Sequence, residues 1–232
     1  MRSAARVLPV AVLAAAWVAL AGGCGPQQRG AGAAAANPAA VSELILPTEK
    51  TSSSVTEKSF VMDWLVLGPF KFGEADFGGD QQQPAAGHAF ARDEAGLDGT
   101  QSPPAGTAWK AHHFTGNAGT GQVDLDAFYG AIEHAAAYAV AWLDCPEARS
   151  DLQLHVGSDD YLKVWINGKL VHTYDVQRRA STADQDVVKG VRLAKGLNRV
   201  VVKCVDVVFD WDFYLRLTDA KQKPVDVKAK AK

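Results

Sequence analysis

The chain predicts an all-β fold, a single antiparallel β-sandwich, and three observations carry that prediction. Apolar residues alternate with period two in "DLQLHVG" (Leu152, Leu154, Val156) and in "YLKVWI" (Leu162, Val164, Ile166). Asn167-Gly168 separates the second run from "KLVHTY", and Asn and Gly best tolerate the positive φ that a two-residue hairpin turn requires. No stretch between residues 58 and 219 carries a convincing long-helix pattern.

The elements follow in order. "SFVMDWLVLGPF" opens the body as a buried strand around Val61, Trp64 and Val66, ended by Gly68-Pro69. Residues 71–107 are crowded with Gly, Gln, Pro and Asp. They predict a long loop with little regular structure, either a binding edge or a disordered insertion. "AWKAHHF" is a short strand. "AIEHAAAYAVAW" has the alanine content of a helix. Yet Tyr138, Val140 and Trp142 alternate with Ala137, Ala139 and Ala141, which suits a strand with one crowded and one slim face over 136–144. After the hairpin, "DVQRRASTADQD" crosses to "VVKGVRLAKGLNRVVVKCVDV". There Lys195-Gly196 turns the chain into a strand over 197–208 with enough valine to be buried on both faces. "DWDFYLRLTD" closes the body with Phe213, Leu215 and Leu217 inward. The sum is about eight or nine strands.

The ends are of a different kind. "MRSAARVLPVAVLAAAWVALAGGC" has a basic start, a continuous apolar run and small residues before Cys24, the pattern of a secretory signal. The run from Leu8 to Ala21 is shorter than the roughly 20 residues of a spanning helix. "LAGGC" resembles a bacterial lipoprotein signal, which implies cleavage after residue 23, a covalent lipid on Cys24 and a membrane anchor facing the periplasm or the cell surface. An uncleaved anchor or a plain secretory signal is the alternative. Residues 24–57, rich in Gly, Ala, Gln, Ser and Thr, predict a flexible tether with a reach of about 30 Å. "LILP" at 44–47 is its one apolar patch. Residues 220–232, with five lysines, predict a mobile basic tail.

Without Arg2 and Arg6 the chain has 22 basic and 26 acidic side chains, a formal net charge of −4. A mildly acidic body argues against nucleic acid as a partner. Cys145 and Cys204 remain after lipidation of Cys24. In an oxidising compartment they pair or stay as buried thiols, and the spacing leaves both open. Neither belongs to a CxxC or a zinc-type cluster.

"WLVLGPF", "YAVAWLDCPEARSDLQLHVGSDDYLKVWINGKLVH" and "KGLNRVVVKCVDVVFDWDFYLRLTD" form an ordered series over most of residues 58–219. The series resembles galactose-binding-domain-like jelly rolls of exported bacterial proteins. "SDDYLKVWINGKLV" is similar to the protective-antigen-type lectin module of toxins and adhesins. That resemblance implies carbohydrate binding, with Asp159 and Asp160 matching paired aspartates that hold calcium in some sugar-binding members. The further calcium ligands of those lectins have no match located here.

Chemically, two adjacent carboxylates supply part of the six to eight oxygens calcium needs, with Asp175, Asp184 and Asp186 as nearby acids. Alternatively, both aspartates cap backbone amides at a bend. Aromatic platforms are the other route to a sugar. Trp211, between Asp210 and Asp212, is the first candidate, followed by Trp165 and Tyr161 on a shared strand face, with Phe209 among the other aromatics. No HExxH, GxSxG or phosphate-loop motif occurs, and adjacent His112 and His113 would point to opposite sheet faces. The expectation is therefore a non-catalytic envelope module. A glycan-binding role predicts an exposed aromatic and Asp159/Asp160 on a solvent-facing edge. An accessory-subunit role in a membrane complex predicts an apolar face, or a 71–107 segment with nothing of its own to pack on.

Overall fold

The computed structural model describes residues 59–79, 82–116 and 119–230. The signal over 1–23, Cys24 and the tether over 24–57 lie outside the described residues.

Eleven strands form two antiparallel sheets among the described residues. The larger sheet has the order β2 (Ala108–His113), β1 (Asp63–Lys71), β4 (Ala135–Cys145), β9 (Gly196–Asp206), β6 (Tyr161–Ile166), β7 (Lys169–Tyr174). The smaller runs β3 (Gln122–Asp124), β10 (Asp212–Thr218), β5 (Arg149–Asp159), β8 (Asp186–Leu193). The predicted all-β sandwich is the observed architecture.

Alternation decides what each sheet buries. On β4 the odd positions Ala135, Ala137, Ala139 and Ala141 join the core between the sheets with Leu154, Val156, Phe213 and Leu215. The even positions Tyr138, Val140 and Trp142 point to the opposite face, into a second apolar cluster with Leu67, Trp109 and Val205. The slim and crowded faces read from the alanine pattern are these two faces. Valines of β9 divide the same way, Val200 and Val202 inward and Val201 and Val205 outward. The larger sheet is therefore buried on both sides, as a near-continuous apolar strand requires.

The outer cover comes from residues 72–107. It carries a short helix, α1 (Gln83–Gly87), and a single 3-10 turn at Glu94–Gly96. Ala85, Ala86, Ala91 and Leu97 are buried against the sheet, with Phe72, Phe77 and Phe90 packed around them. Polar groups pin this cover down. Tyr138 Oη donates to Glu94 Oε1 at 2.6 Å and accepts from the amides of Phe90 and Ala91. Lys203 Nζ, on β9, donates to Glu94 Oε1 at 3.0 Å and to the His88 carbonyl at 2.7 Å.

The hairpin over 161–174 has the expected turn, with Asn167 at φ 51° and Gly168 at φ 80°. Two elements differ from expectation. Strand β1 runs through Gly68-Pro69 to Lys71, because a register shift between Leu67 and Phe70 absorbs the proline at a position that needs no ladder donor. Residues 220–230 are held rather than mobile. Val225 and Val227 enter the main core, and β11 (Lys228–Lys230) pairs with Trp142–Asp144 of β4, beyond the point where β1 leaves that edge. Two valines alternating with charged residues supplied an anchor that the lysine count concealed. Cys145 and Cys204 are both buried free thiols.

Candidate functional site

Strand ends assemble the candidate site. Asp159 ends β5, Asp160 links it to β6, and Asp206 ends β9. Pairing of Tyr161 with Val205, and an Asp160 N–H to Val205 carbonyl bond of 3.0 Å, carry Asp206 alongside the aspartate pair. One carboxylate oxygen from each of the three lies within 4.8 Å of the others. All three side chains are buried, Asp159 at 5%, Asp160 at 2% and Asp206 at 1% exposure, so the solvent-facing edge that a glycan-binding role predicted for Asp159/Asp160 is not what the fold provides. The Asp159–Asp160 peptide bond is cis.

Hydrogen bonding separates the members. Asp160 accepts from the Val207 amide at 2.9 Å and from the Arg179 amide at 3.2 Å. Capping of backbone amides at a bend is thus real, and it belongs to Asp160. Asp206 has no partner for either carboxylate oxygen. An unmet buried carboxylate is costly, and buried charges are ordinarily paired or bound to metal. Burial, then the charges of Asp160, Glu133, Asp126 and Asp159, push Asp206 up to about 9. Burial and the neighbouring Asp160 carboxylate likewise raise Asp159, and burial raises Asp160. Without a cation Asp206 therefore keeps its proton at neutral pH, because its surroundings offer it no positive charge that would let the cluster ionise fully.

Two segments wall this cluster. The 175–185 crossover folds across the end of β5, where Gly157 is needed because a Cβ there would meet the Thr182 carbonyl at 1.9 Å. Arg179 stacks over Tyr174, reaches the Ser158 hydroxyl at 3.1 Å and pairs with Asp186 at 2.7 Å. The second segment, 207–211, is caught at alternate amides by carboxylates from three places. Val207 is held by Asp160, Phe209 by Glu133 at 3.0 Å, and Trp211 by Asp126 at 2.9 Å. Asp126 is positioned by α2 (Leu125–Tyr129), whose N-cap Asp124 accepts from the Ala127 amide.

The sequence-nominated residues fall unevenly. Asp159 and Asp160 meet in the cluster. Asp184 instead pairs with Arg216 and His155, and Asp186 with Arg179 and His172, so both serve ion pairs on the sheet. The aromatic platforms are corrected. Trp211 lies fully inside the main core, stacked on Tyr129 at 5.4 Å. Tyr161 and Trp165 do share a face of β6, but the 72–107 cover buries that face. The exposed aromatic of this region is Phe209, at 79%. Asp206 is not legible as a partner of Asp160 in the sequence because only the β6–β9 pairing brings it alongside, and Phe209, one of the other aromatics, follows three residues later. His112 and His113 do not converge: His113 bonds Asp63 at 2.6 Å, while His112 packs on Phe114 and Phe128.

No family model matches the chain, and no curated protein matches it. Solved structures do. The chain is similar to a PA14 sugar-binding domain from an RTX adhesin at 12% identity and TM-score 0.40, covering 72% of this chain and 96% of that one. It is also similar to the PA14 domain of the MpAFP antifreeze protein, at 16% identity and TM-score 0.34, over 41% of this chain and about half of that one (52%). A β-glucuronidase of Ruminococcus gnavus matches at 14% identity and TM-score 0.34, over 62% of this chain and 20% of the enzyme. Likenesses this distant leave function to the chemistry of the site. No helix among the described residues is long and apolar enough to cross a membrane.

Proposed function

We propose that this protein is a non-catalytic, cation-dependent carbohydrate-binding module of the cell envelope, tethered through a lipid on Cys24. The observation that carries the reading is the unmet, fully buried carboxylate of Asp206 within 4.8 Å of two further aspartates. An all-oxygen donor set of three carboxyl groups fits a hard cation, whose binding would release their protons, and calcium accepts such irregular carboxylate cages better than magnesium. Asp159, Asp160 and Asp206 would hold it. A calcium ion held there would supply a positive centre able to take sugar hydroxyl oxygens as further ligands.

This chain's own residues do the rest. Asp160 fixes the two walls by holding the Val207 and Arg179 amides, so the donors are preorganised. Arg179 is itself tied to Asp186 and Ser158, which keeps the crossover in place. Of the two marks of an accessory subunit, an apolar face or a 71–107 segment with nothing of its own to pack on, the second is not met, because residues of that segment pack on their own domain.

Calorimetric titration of calcium into the chelator-stripped full-length protein tests the reading, together with capture on albumin conjugates of galactose, glucose, mannose and fucose. Saturable calcium binding and calcium-dependent capture are expected from the wild type, and neither from Asp159→Asn/Asp160→Asn. A melting temperature indifferent to calcium and chelator sinks the cation site. Calcium binding without capture by any conjugate sinks the carbohydrate.

A further inference from the structure

Phe209 combines three properties that packing does not explain. Its ring is 79% exposed, the largest exposure among the big apolar side chains of the described residues. Its backbone sits at φ 84°, a region that glycine occupies freely and a bulky residue rarely does. It lies three residues beyond Asp206, on the segment whose amides are captured at Val207, Phe209 and Trp211 by Asp160, Glu133 and Asp126. Alternate amides of this segment are bound by carboxylates from three separate places in the chain. The segment is held by its backbone, and it carries an aromatic ring in water three residues from Asp206 and two from the amide that Asp160 binds.

We propose that Phe209 is the stacking platform of the ligand site, and that the ligand is a pyranose with one apolar face. Hydroxyl groups on one edge of such a ring address the Asp159–Asp160–Asp206 centre, while its C–H face lies on the phenyl ring. Exposed Asp210, next in the chain, and exposed Glu133, which holds the Phe209 amide, offer acceptors for further hydroxyls. A flat apolar surface with acceptors at its rim suits a sugar, which is apolar on its faces and polar at its edge. Backbone strain tolerated at a ligand-facing residue is a common signature of such sites. The proposal rests on the carbohydrate reading above and adds the residue that selects the sugar.

Three proteins decide it: wild type, Phe209→Ala and Phe209→Trp, each full length. The alanine variant is expected to bind calcium with an affinity within about twofold of wild type. It should lose roughly tenfold or more in affinity for whichever of the four albumin conjugates the wild type captures. The tryptophan variant should keep that affinity. Its added, exposed indole should emit at long wavelength and shift to the blue when the sugar is added. Undiminished capture by Phe209→Ala overturns the platform and leaves the cation-dependent lectin standing. Wild-type protein that binds calcium but no conjugate overturns both.

Discussion

Two buried charge centres lie three residues apart on β9, and they have opposite characters. Lys203 points outward, where the Glu94 carboxylate and the His88 carbonyl meet its ammonium group, and Tyr138 donates to the same Glu94 oxygen. Asp206 lies at the strand's end with two other aspartates and no partner for either oxygen. The first is a closed account of opposite charges and hydrogen bonds, and its product is structural: it fastens the 72–107 cover to the sheet. The second is open, with three acidic groups facing a gap in the bonding pattern. A buried polar network that satisfies itself needs no ligand. One that does not is where a ligand belongs.

The largest effect that could break this contrast is calcium itself. At a concentration about 1,000 times its Kd, a ligand that binds only the folded state adds about 4 kcal/mol. For a domain of this size that raises Tm by roughly 8–16 °C. Asp206→Asn should abolish the increment without harming the metal-free protein, since the amide relieves repulsion and can donate to Asp159 or Asp160. Scanning calorimetry with calcium and with chelator measures both. A variant that still gains several degrees places the ion elsewhere.

Next comes the closed centre. Glu94→Gln deprives a buried ammonium of its counter-charge while keeping the shape, and is expected to cost about 1–3 kcal/mol. The loss should be local. Amide exchange should quicken over residues 82–101 more than in β9, and calcium affinity should stay put. Weakened calcium binding in this variant would mean that the two centres are coupled.

A smaller and opposite effect is expected at Phe209→Gly. Glycine accepts φ 84° without strain, so the variant should gain about 0.5–1 kcal/mol despite the extra freedom of its unfolded chain, while sugar capture falls. Gain of stability with loss of binding identifies a residue kept for its ligand. An unchanged or lower Tm would mean that the ring has packing value in place.

How much of this was legible in the sequence follows from the range of each signal. Period-two alternation is local, so the strands, the Asn167-Gly168 turn and even the two faces of β4 could be read directly. Burial of Tyr161 and Trp165 could not, because it depends on residues 85–97 folding back over β6 from some 70 positions away. Asp159 and Asp160 were visible as neighbours. Their third member was hidden in strand pairing: Asp206 joins them only through the register of Tyr161 with Val205. The same holds for Trp211, which looked exposed between two aspartates yet turns inward as the residue leading into β10, with Asp126 capturing its amide.

The smallest prediction sharpens the contrast from the side of pH. Burial depresses Lys203 from its usual range to about 8, with Glu94 opposing the fall. In the unfolded chain the amine keeps an ordinary value near 10.4. Between these values the unfolded state binds more protons than the folded one, so stability rises with pH through that window. Below about pH 8 both states carry the proton, and the contribution is constant. From pH 8 to pH 9 the gain should be at most about 1 kcal/mol. Denaturant titrations of wild type and Lys203→Met at the two pH values isolate it, because the methionine protein lacks the amine and should lack the increment. An equal rise in both proteins would assign the pH dependence to other groups. A rise confined to wild type would show that a fully buried ammonium is held charged at neutral pH by one carboxylate and one carbonyl, which is the neutralisation the aspartate cluster lacks.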